Sequence, residues 1–126
     1  MKDDHNLMTP RALVPVFFVA DVTASVDYYT RLLGFTQSFR YGTYAGVKLG
    51  ACELHVTDPG EPRHIVGSGT AYMICDHVDQ YFAAIKAAGA RLKSHPEDRI
   101  YGMRDFAILD LDGNQLSFGC DANRGE

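Results

Sequence analysis

The sequence predicts an α+β domain built from two similar βαβββ units. The first observation behind this fold class is a repeat, because in two places a short apolar run is followed by an aspartate, a stretch of helical periodicity and a glycine. Asp21 and Asp76 are 55 residues apart, and so are Gly34 and Gly89. The second observation is that short strand patterns follow each predicted helix. Because neither unit could bury its apolar face alone, we expect the two units to share one core.

The length and composition indicate a single globular domain. The chain has 126 residues, of which 46% are hydrophobic and 22% are charged, and a chain of this size can fold without disulfides or a structural metal. We predict one domain over residues 1–126, with repeats at approximately 12–60 and 68–120. Residues 64–70 are the predicted linker between the repeats, and residues 1–10 a flexible polar arm.

Both predicted helices have signals at their ends. Asp21 or Thr23 is expected to cap the first helix by accepting a backbone hydrogen bond. Gly34 and Gly89 are expected to end the two helices in the left-handed conformation. The apolar faces consist of residues at helical spacing, which are Val22, Val26, Tyr29 and Leu33 in the first helix and Val78, Tyr81, Phe82, Ile85 and Ala88 in the second.

The predicted strands are short apolar or alternating runs. A buried strand is indicated at the start of each unit, where the first is the continuous apolar run 14–19. The Asp-Gly pair within residues 110–114 favours a hairpin turn rather than a calcium loop, because the twelfth-position acid of such a loop is missing. The later strands are predicted over residues 44–49, 52–57, 104–109 and 115–118.

Charge and cysteine content exclude several classes of partner. Twelve Lys and Arg against sixteen Asp and Glu give a net charge of −4, which argues against a basic face that binds nucleic acid. No apolar run approaches the roughly 18 residues of a membrane-spanning helix, so we expect no membrane partner. Cys52, Cys75 and Cys120 are an odd number without a C-x-x-C spacing. They are predicted to be free thiols in a reducing cytoplasm.

The histidines show no recognised metal-binding spacing. Of the five histidines, only His55 has a possible co-ligand on the same face of its strand, which is Glu53 two residues earlier. We interpret this pair as a hydrogen-bonding feature of a ligand pocket or of the surface. A metal site that begins at this pair and recruits further ligands is the alternative.

Four stretches of the chain resemble one known family. They are LVPVFFVADV at 13–22, YYTRLLGF at 28–35, YAGV at 44–47 and YGMRDFAILDLDGN at 101–114. The chain is identified from them as a member of the glyoxalase/bleomycin-resistance/dioxygenase superfamily, over roughly residues 11–119. The resemblance implies paired βαβββ modules that form a curved, cup-like mixed sheet, and assembly as a homodimer.

The resemblance also implies where a metal would be held. Metal-dependent members of this superfamily place four ligands at positions that correspond here to Val14, Glu53, Thr70 and Ser117. Of these residues only Glu53 is a competent ligand, and one carboxylate does not replace the hydration shell of a divalent ion. We therefore predict that the protein uses no metal and no other cofactor.

Within the superfamily, the chain resembles bleomycin-resistance proteins, which bind a drug without altering it. The likeness lies in residues 14–16, 33–35 and 44–46. It implies a metal-independent, non-catalytic homodimer that confers antibiotic resistance by sequestering a small aromatic or cationic molecule, possibly a bleomycin-type antibiotic. The predicted ligand-binding residues are Phe39, Tyr44, Tyr101 and Phe106 for stacking, Glu53 and His55 for hydrogen bonding, and Arg104 for orienting a polar group or bracing a loop.

Two other functions stay open on the sequence. One is a metal-dependent lyase, isomerase or dioxygenase with a metal site rebuilt around Glu53 and His55. The other is a scaffold or small-molecule sensor in which the cup does not sequester a ligand.

Overall fold

A computed structural model describes residues 7–123. Within this range the chain forms nine strands and two helices, with β1, α1, β2, β3 and β4 in the first unit and β5, α2, β6, β7, β8 and β9 in the second. The helices are α1 Val22–Asp27, continued by a π-helical turn Tyr28–Leu32, and α2 Val78–Ala88. The strands are β1 Val16–Phe18, β2 Thr36–Tyr41, β3 Tyr44–Leu49, β4 Cys52–Thr57, β5 Thr70–Ile74, β6 Arg91–Leu92, β7 Glu97–Asp98, β8 Met103–Leu109 and β9 Gln115–Asp121.

The predicted α+β class and the βαβββ order are confirmed, with one difference in the second unit. The first sheet has the order β1-β4-β3-β2 and the second the order β5-β9-β8-β6. In each sheet the first strand of the unit pairs in parallel with the last, and the other pairs are antiparallel. In the second unit the edge strand is split, since both β6 and β7 pair with β8. Most of the predicted arm at residues 1–10 lies outside the described residues.

The strand β1 is shorter than the predicted run 14–19, yet its pairing covers nearly all of it. The carbonyl of Pro15 accepts the N–H of His55 at 3.0 Å, and the N–H of Val19 donates to Thr57 at 3.0 Å. Proline has no N–H of its own to give to the ladder. The hydrogen-bonded segment therefore runs from residue 15 to residue 19.

The first helix begins at the predicted cap and ends before Gly34, which has the predicted left-handed conformation with φ of 80°, but its last turn is not α-helical. Asp21 caps it by accepting the N–H of Ala24 at 3.1 Å, and the predicted stripe Val22, Val26, Tyr29 and Leu33 is buried. The chain then widens into the π-helical turn, in which the adjacent residues Tyr28 and Tyr29 are both buried.

The second helix has a different start. His77 precedes it with φ of 50° and makes no side-chain cap, whereas Gly89 ends it with φ of 98°, as predicted. Of its predicted stripe, Val78 and Ile85 are buried and Ala88 is exposed. No helix of the described chain is long and apolar enough to cross a membrane.

A buried polar network joins the two units. Asp110 and Asn114, both fully buried, lie in the turn between β8 and β9, and Asp110 accepts the N–H groups of Asp112 and Asn114. The Asn114 amide accepts the N–H of Gly69 at 2.8 Å and donates to the carbonyl of Phe18 at 3.1 Å. The predicted turn therefore also connects β1 of the first unit to the linker through hydrogen bonds of Asn114.

Each sheet has one face covered by a helix and one face that no helix of residues 7–123 covers. The helix α1 contacts β3 and β4, and α2 contacts β8 and β9. Side chains alternate along each strand, so every second residue points away from its helix. We call this uncovered side the open face. Its polar and aromatic side chains include Phe39, Tyr44, Glu53 and His55 in the first sheet, and Tyr72, Asp105 and Ser117 in the second.

Candidate ligand-binding site

Four of the predicted site residues come together on the open face of the first sheet. Phe39 comes from β2, Tyr44 from β3, and Glu53 and His55 from β4. The ring of Phe39 lies parallel to that of Tyr44, with centroids 6.0 Å apart, and meets His55 edge-on at 5.1 Å. We call these four residues the aromatic cluster. Sequence reasoning proposed its members, and the register of the strands explains why they meet.

The position of Phe39 depends on Gly46, which the sequence analysis did not single out. Gly46 pairs with Phe39 on one side and with His55 on the other. A Cβ built on Gly46 would collide with the Phe39 ring and with the Ser38 hydroxyl. The ring therefore lies directly on the backbone of β3, as is common where glycine interrupts a strand.

A hydrogen-bond chain runs through the polar members of the aromatic cluster. Tyr44 Oη lies 2.8 Å from His55 Nδ1, and His55 Nε2 lies 3.2 Å from Glu53 Oε2. Ser38 also donates to Glu53 Oε2, at 2.9 Å. The hydrogen bond from Ser38, together with that from His55, lowers the pKa of Glu53. The aromatic cluster thus offers an ionised carboxylate beside aromatic rings.

The open face of the second sheet carries a second cluster, centred on Asp105. The buried carboxylate of Asp105 accepts hydrogen bonds from Tyr72 at 2.8 Å, Tyr101 at 2.6 Å and Arg99 at 2.7 Å. Burial raises the pKa of Asp105, but the hydrogen bonds from Tyr101, Arg99 and Tyr72 outweigh it and hold that pKa below its ordinary value. The hydrogen bond to Asp105 in turn raises the pKa of Tyr101. We call these four residues the Asp105 cluster.

Only Tyr101 of the Asp105 cluster was predicted as a site residue. The tyrosine Tyr72 reaches Asp105 because Gly119 lies beneath it, and a Cβ built on Gly119 would collide with the Tyr72 hydroxyl. The usable signal was the alternation along β8. Had Phe106 been assigned to the core, its neighbour Asp105 would have been placed on the open face.

Two hollows connect these clusters to solvent. One, of about 700 Å³, lies over the second sheet and is lined by Tyr72, Tyr101 and Asp105. The other, of about 490 Å³, lies between the units and is lined by Glu53 from the first unit and Tyr72 from the second. A ligand in the second hollow would therefore contact both clusters.

Arg104 and Phe106 lie on the other face of β8, away from the open face. Phe106 is 1% exposed and packs against Phe118, with ring centroids 5.3 Å apart. Arg104 pairs with Asp79 of α2 at 2.9 Å and with Asp98 of β7 at 3.1 Å. The stacking role predicted for Phe106 is thus corrected, because strand alternation places its ring in the core. The ion pairs of Arg104 connect α2 and β7 to β8, and a role of Arg104 toward a ligand stays a prediction.

The residues at the superfamily's metal positions do not fit a divalent ion. The Val14 side chain has no donor atom, the Ser117 hydroxyl lies within hydrogen-bond distance of the Gln115 amide, and Glu53 accepts hydrogen bonds from Ser38 and His55. Among residues 7–123, no group of three or more His, Cys, Asp and Glu side chains is arranged to hold a metal.

Comparison with known proteins identifies the family. The sequence model of the Glyoxalase/Bleomycin resistance protein/Dioxygenase superfamily matches residues 11–118. The chain belongs to this superfamily. The resemblance drawn from the sequence is thereby confirmed.

Relatives within the superfamily include drug-resistance proteins. The Bleomycin resistance proteins of Geobacillus stearothermophilus and Staphylococcus aureus are each 24% identical over 125 residues, covering 83% of this chain and 92% of the relative. A solved structure of bleomycin-binding protein from Streptomyces verticillus, complexed with copper(II)-bleomycin, matches with a TM-score of 0.75 at 24% identity, covering 88% of this chain and 96% of that one. Lactoylglutathione lyase from Agrobacterium tumefaciens matches with a TM-score of 0.72 at 22% identity, covering 90% and 96%. Binding proteins and lyases thus share this fold.

Proposed function

We propose that this superfamily member binds a planar aromatic or cationic small molecule and sequesters it without a metal and without chemical change. A bleomycin-type antibiotic is the ligand we propose first. The observation that carries the proposal is the Phe39 ring, 38% exposed, beside the ionised carboxylate of Glu53 on the open face. The relatives named Bleomycin resistance protein support the choice of drug.

Residues of both clusters would contact the ligand. Phe39 and Tyr44 would stack on a planar heterocycle, a contact typically worth about 1 kcal/mol per ring pair beyond the area buried. Glu53 and His55 would hydrogen-bond, with Glu53 attracting a cationic group of the ligand. Tyr101, which is 63% exposed, would contact the ligand from the second sheet.

The assembly we propose is a homodimer. The large apolar side chain of Ile74 on the open face is well exposed in the single chain, and a second copy or a ligand would cover it. The net charge of −4 does not favour nucleic acid as a partner. All three cysteines are free, which suits the cytoplasmic location that we expect.

Calorimetric titration tests the proposed function. The oligomeric state of the purified protein is first determined by sedimentation. The protein is then titrated with metal-free bleomycin and separately with unrelated aromatic compounds. We expect saturation at one or two equivalents per dimer by the drug alone. Phe39→Ala should weaken binding about tenfold, corresponding to roughly 1.4 kcal/mol. Lys86→Ala, on the helical face, is the matched control and should leave the affinity unchanged.

Two results would decide against sequestration. If neither bleomycin nor the other aromatic compounds bind, the open face does not serve as a drug site. If the protein retains one equivalent of a divalent metal through Glu53, a metal-dependent lyase, isomerase or dioxygenase takes precedence.

A further inference from the structure

The hydrogen-bond chain of the aromatic cluster has a chemical consequence beyond ligand binding. We propose that Tyr44 is a nucleophilic phenol activated by His55 and Glu53, and that it is a modification site at which planar aromatic electrophiles form a covalent adduct. The inference does not depend on drug binding, because it rests on the contacts within the aromatic cluster alone.

The contacts fix the position of each proton. An ionised carboxylate only accepts hydrogen bonds, so the 3.2 Å contact between Glu53 and His55 requires a proton on His55 Nε2. In the neutral imidazole the other nitrogen, Nδ1, is then an acceptor. The 2.8 Å contact with Tyr44 is therefore donated by the phenol, and the Tyr44 proton points at a base.

The arrangement is a nucleophile, a base and an orienting group in series. His55 Nδ1 is the proton acceptor, and Glu53 fixes the tautomer of His55 and would balance the charge of the imidazolium. Ser38 fixes Glu53 in turn through the hydrogen bond of 2.9 Å. The side chains of His55 and Glu53 are 20% and 31% exposed, so these groups are partly accessible to solvent on the open face.

Other tyrosines of the same chain lack this arrangement and serve as internal controls. Tyr41 is 84% exposed and lies on the same strand as Phe39, but no base is bonded to its hydroxyl among the described contacts. Tyr101 donates to Asp105 at 2.6 Å, and this carboxylate already accepts bonds from Tyr72 and Arg99. Since the hydrogen bond to Asp105 raises the pKa of Tyr101, we expect that phenol to be unreactive.

The reaction with an aryl sulfonyl fluoride shows what the chain of groups would do. The Tyr44 oxygen attacks sulfur, an O–S bond forms and the S–F bond breaks. Fluoride leaves with the bonding electron pair, and the phenolic proton passes to His55 Nδ1. The products are an aryl sulfonate ester of Tyr44, fluoride and an imidazolium paired with Glu53, so atoms and charge balance.

The experiment treats the full-length protein with benzenesulfonyl fluoride at neutral pH and follows each tyrosine by peptide mass spectrometry. We expect Tyr44 to be modified about tenfold faster than Tyr41 despite its lower exposure, since a positioned general base typically contributes a factor of about 100 or more. His55→Gln places an amide where the imidazole was and removes the base. This substitution should slow the modification of Tyr44 about tenfold or more and leave the modification rate of Tyr41 unchanged. Glu53→Gln should also slow the modification of Tyr44.

The comparison between tyrosines within one unmodified chain keeps the test valid if a variant fails to fold. Equal rates at Tyr44 and Tyr41, or a Tyr44 rate that is unchanged by His55→Gln, would overturn the proposal. Because no drug is present, loss of labelling at Tyr44 and failure to bind bleomycin are separate results.

Discussion

Two glycines allow aromatic side chains to lie flat on the open face. Gly46 lies under Phe39, and Gly119 lies under Tyr72. Neither has the positive φ that explains most glycines of this chain, so the space above the backbone is the reason for glycine at both places. The shape of the open face therefore depends on residues without side chains.

Gly46→Ala tests this dependence at one residue. The added methyl group collides with the Phe39 ring, and overpacking of this kind typically costs about 1–3 kcal/mol of unfolding free energy. We expect the loss to be measured by urea denaturation and to shrink in a Phe39→Ala background, where the ring is absent. An equal loss in both backgrounds would show that the ring does not occupy the space above Gly46.

Asp105→Asn tests the charge at the centre of the second cluster. Because the folded pKa of Asp105 is lowered, its carboxylate stabilises the fold above the unfolded pKa of about 3.9, and this contribution is lost as the pH falls through the folded pKa. Loss of the charge should cost about 2–3 kcal/mol at pH 7.

Urea denaturation at pH 7 and pH 3 checks this expectation. Asp105→Asn should lose less stability between the two pH values than the unmodified protein does. The control is Asp76→Asn, because the Asp76 side chain is 84% exposed. This substitution should change the free energy of unfolding little at either pH. A parallel pH dependence for Asp105→Asn and the unmodified protein would contradict the assignment.

At the scale of elements, the predictable features are those with local signals. Periodicity predicted the stripe that includes Val22 and Tyr29, and a capping residue predicted the start at Asp21. The π-helical turn was not predictable, because its cause is tertiary. Tyr28 donates to the carbonyl of Leu109 at 2.8 Å and Tyr29 to Asp110 at 3.1 Å, and a π-helical turn lets both adjacent rings face the second unit.

The candidate site was predictable to the extent that its residues lie two apart on one strand. Glu53 and His55 were paired from spacing alone, and the family resemblance added Phe39 and Tyr44. The face of β8 was misjudged at Phe106 because its neighbours are one charged and one apolar residue, Asp105 and Ala107, so the short pattern does not say which face is the core. The ion pair of Arg104 with Asp79 connects positions 25 residues apart in the sequence and has no local signal.

At the scale of the molecule, the repeat predicted two units but not how they are joined. The two units are joined by side chains that are not repeated in the other unit. Asn114 links Gly69 and Phe18, and Arg91 donates its backbone N–H to the Tyr28 hydroxyl at 2.8 Å. A duplicated architecture thus becomes one molecule through contacts that break the symmetry of the repeat.

Asn114→Ala should uncouple the units. It leaves the partly buried N–H of Gly69 and the carbonyl of Phe18 without their side-chain partner, and we expect a loss of about 2–3 kcal/mol in unfolding free energy. The control is Gln115→Ala, because the hydrogen bonds that the Gln115 amide makes within the described residues go to Lys93 and Ser117 of the second unit. This substitution should cost about 1 kcal/mol or less. Urea denaturation gives both values, and amide hydrogen exchange should show that β1 and the linker lose protection in Asn114→Ala while the centre of β8 keeps it. Similar losses in the two variants, or uniform exchange across the chain, would mean that the network stabilises the turn without joining the units.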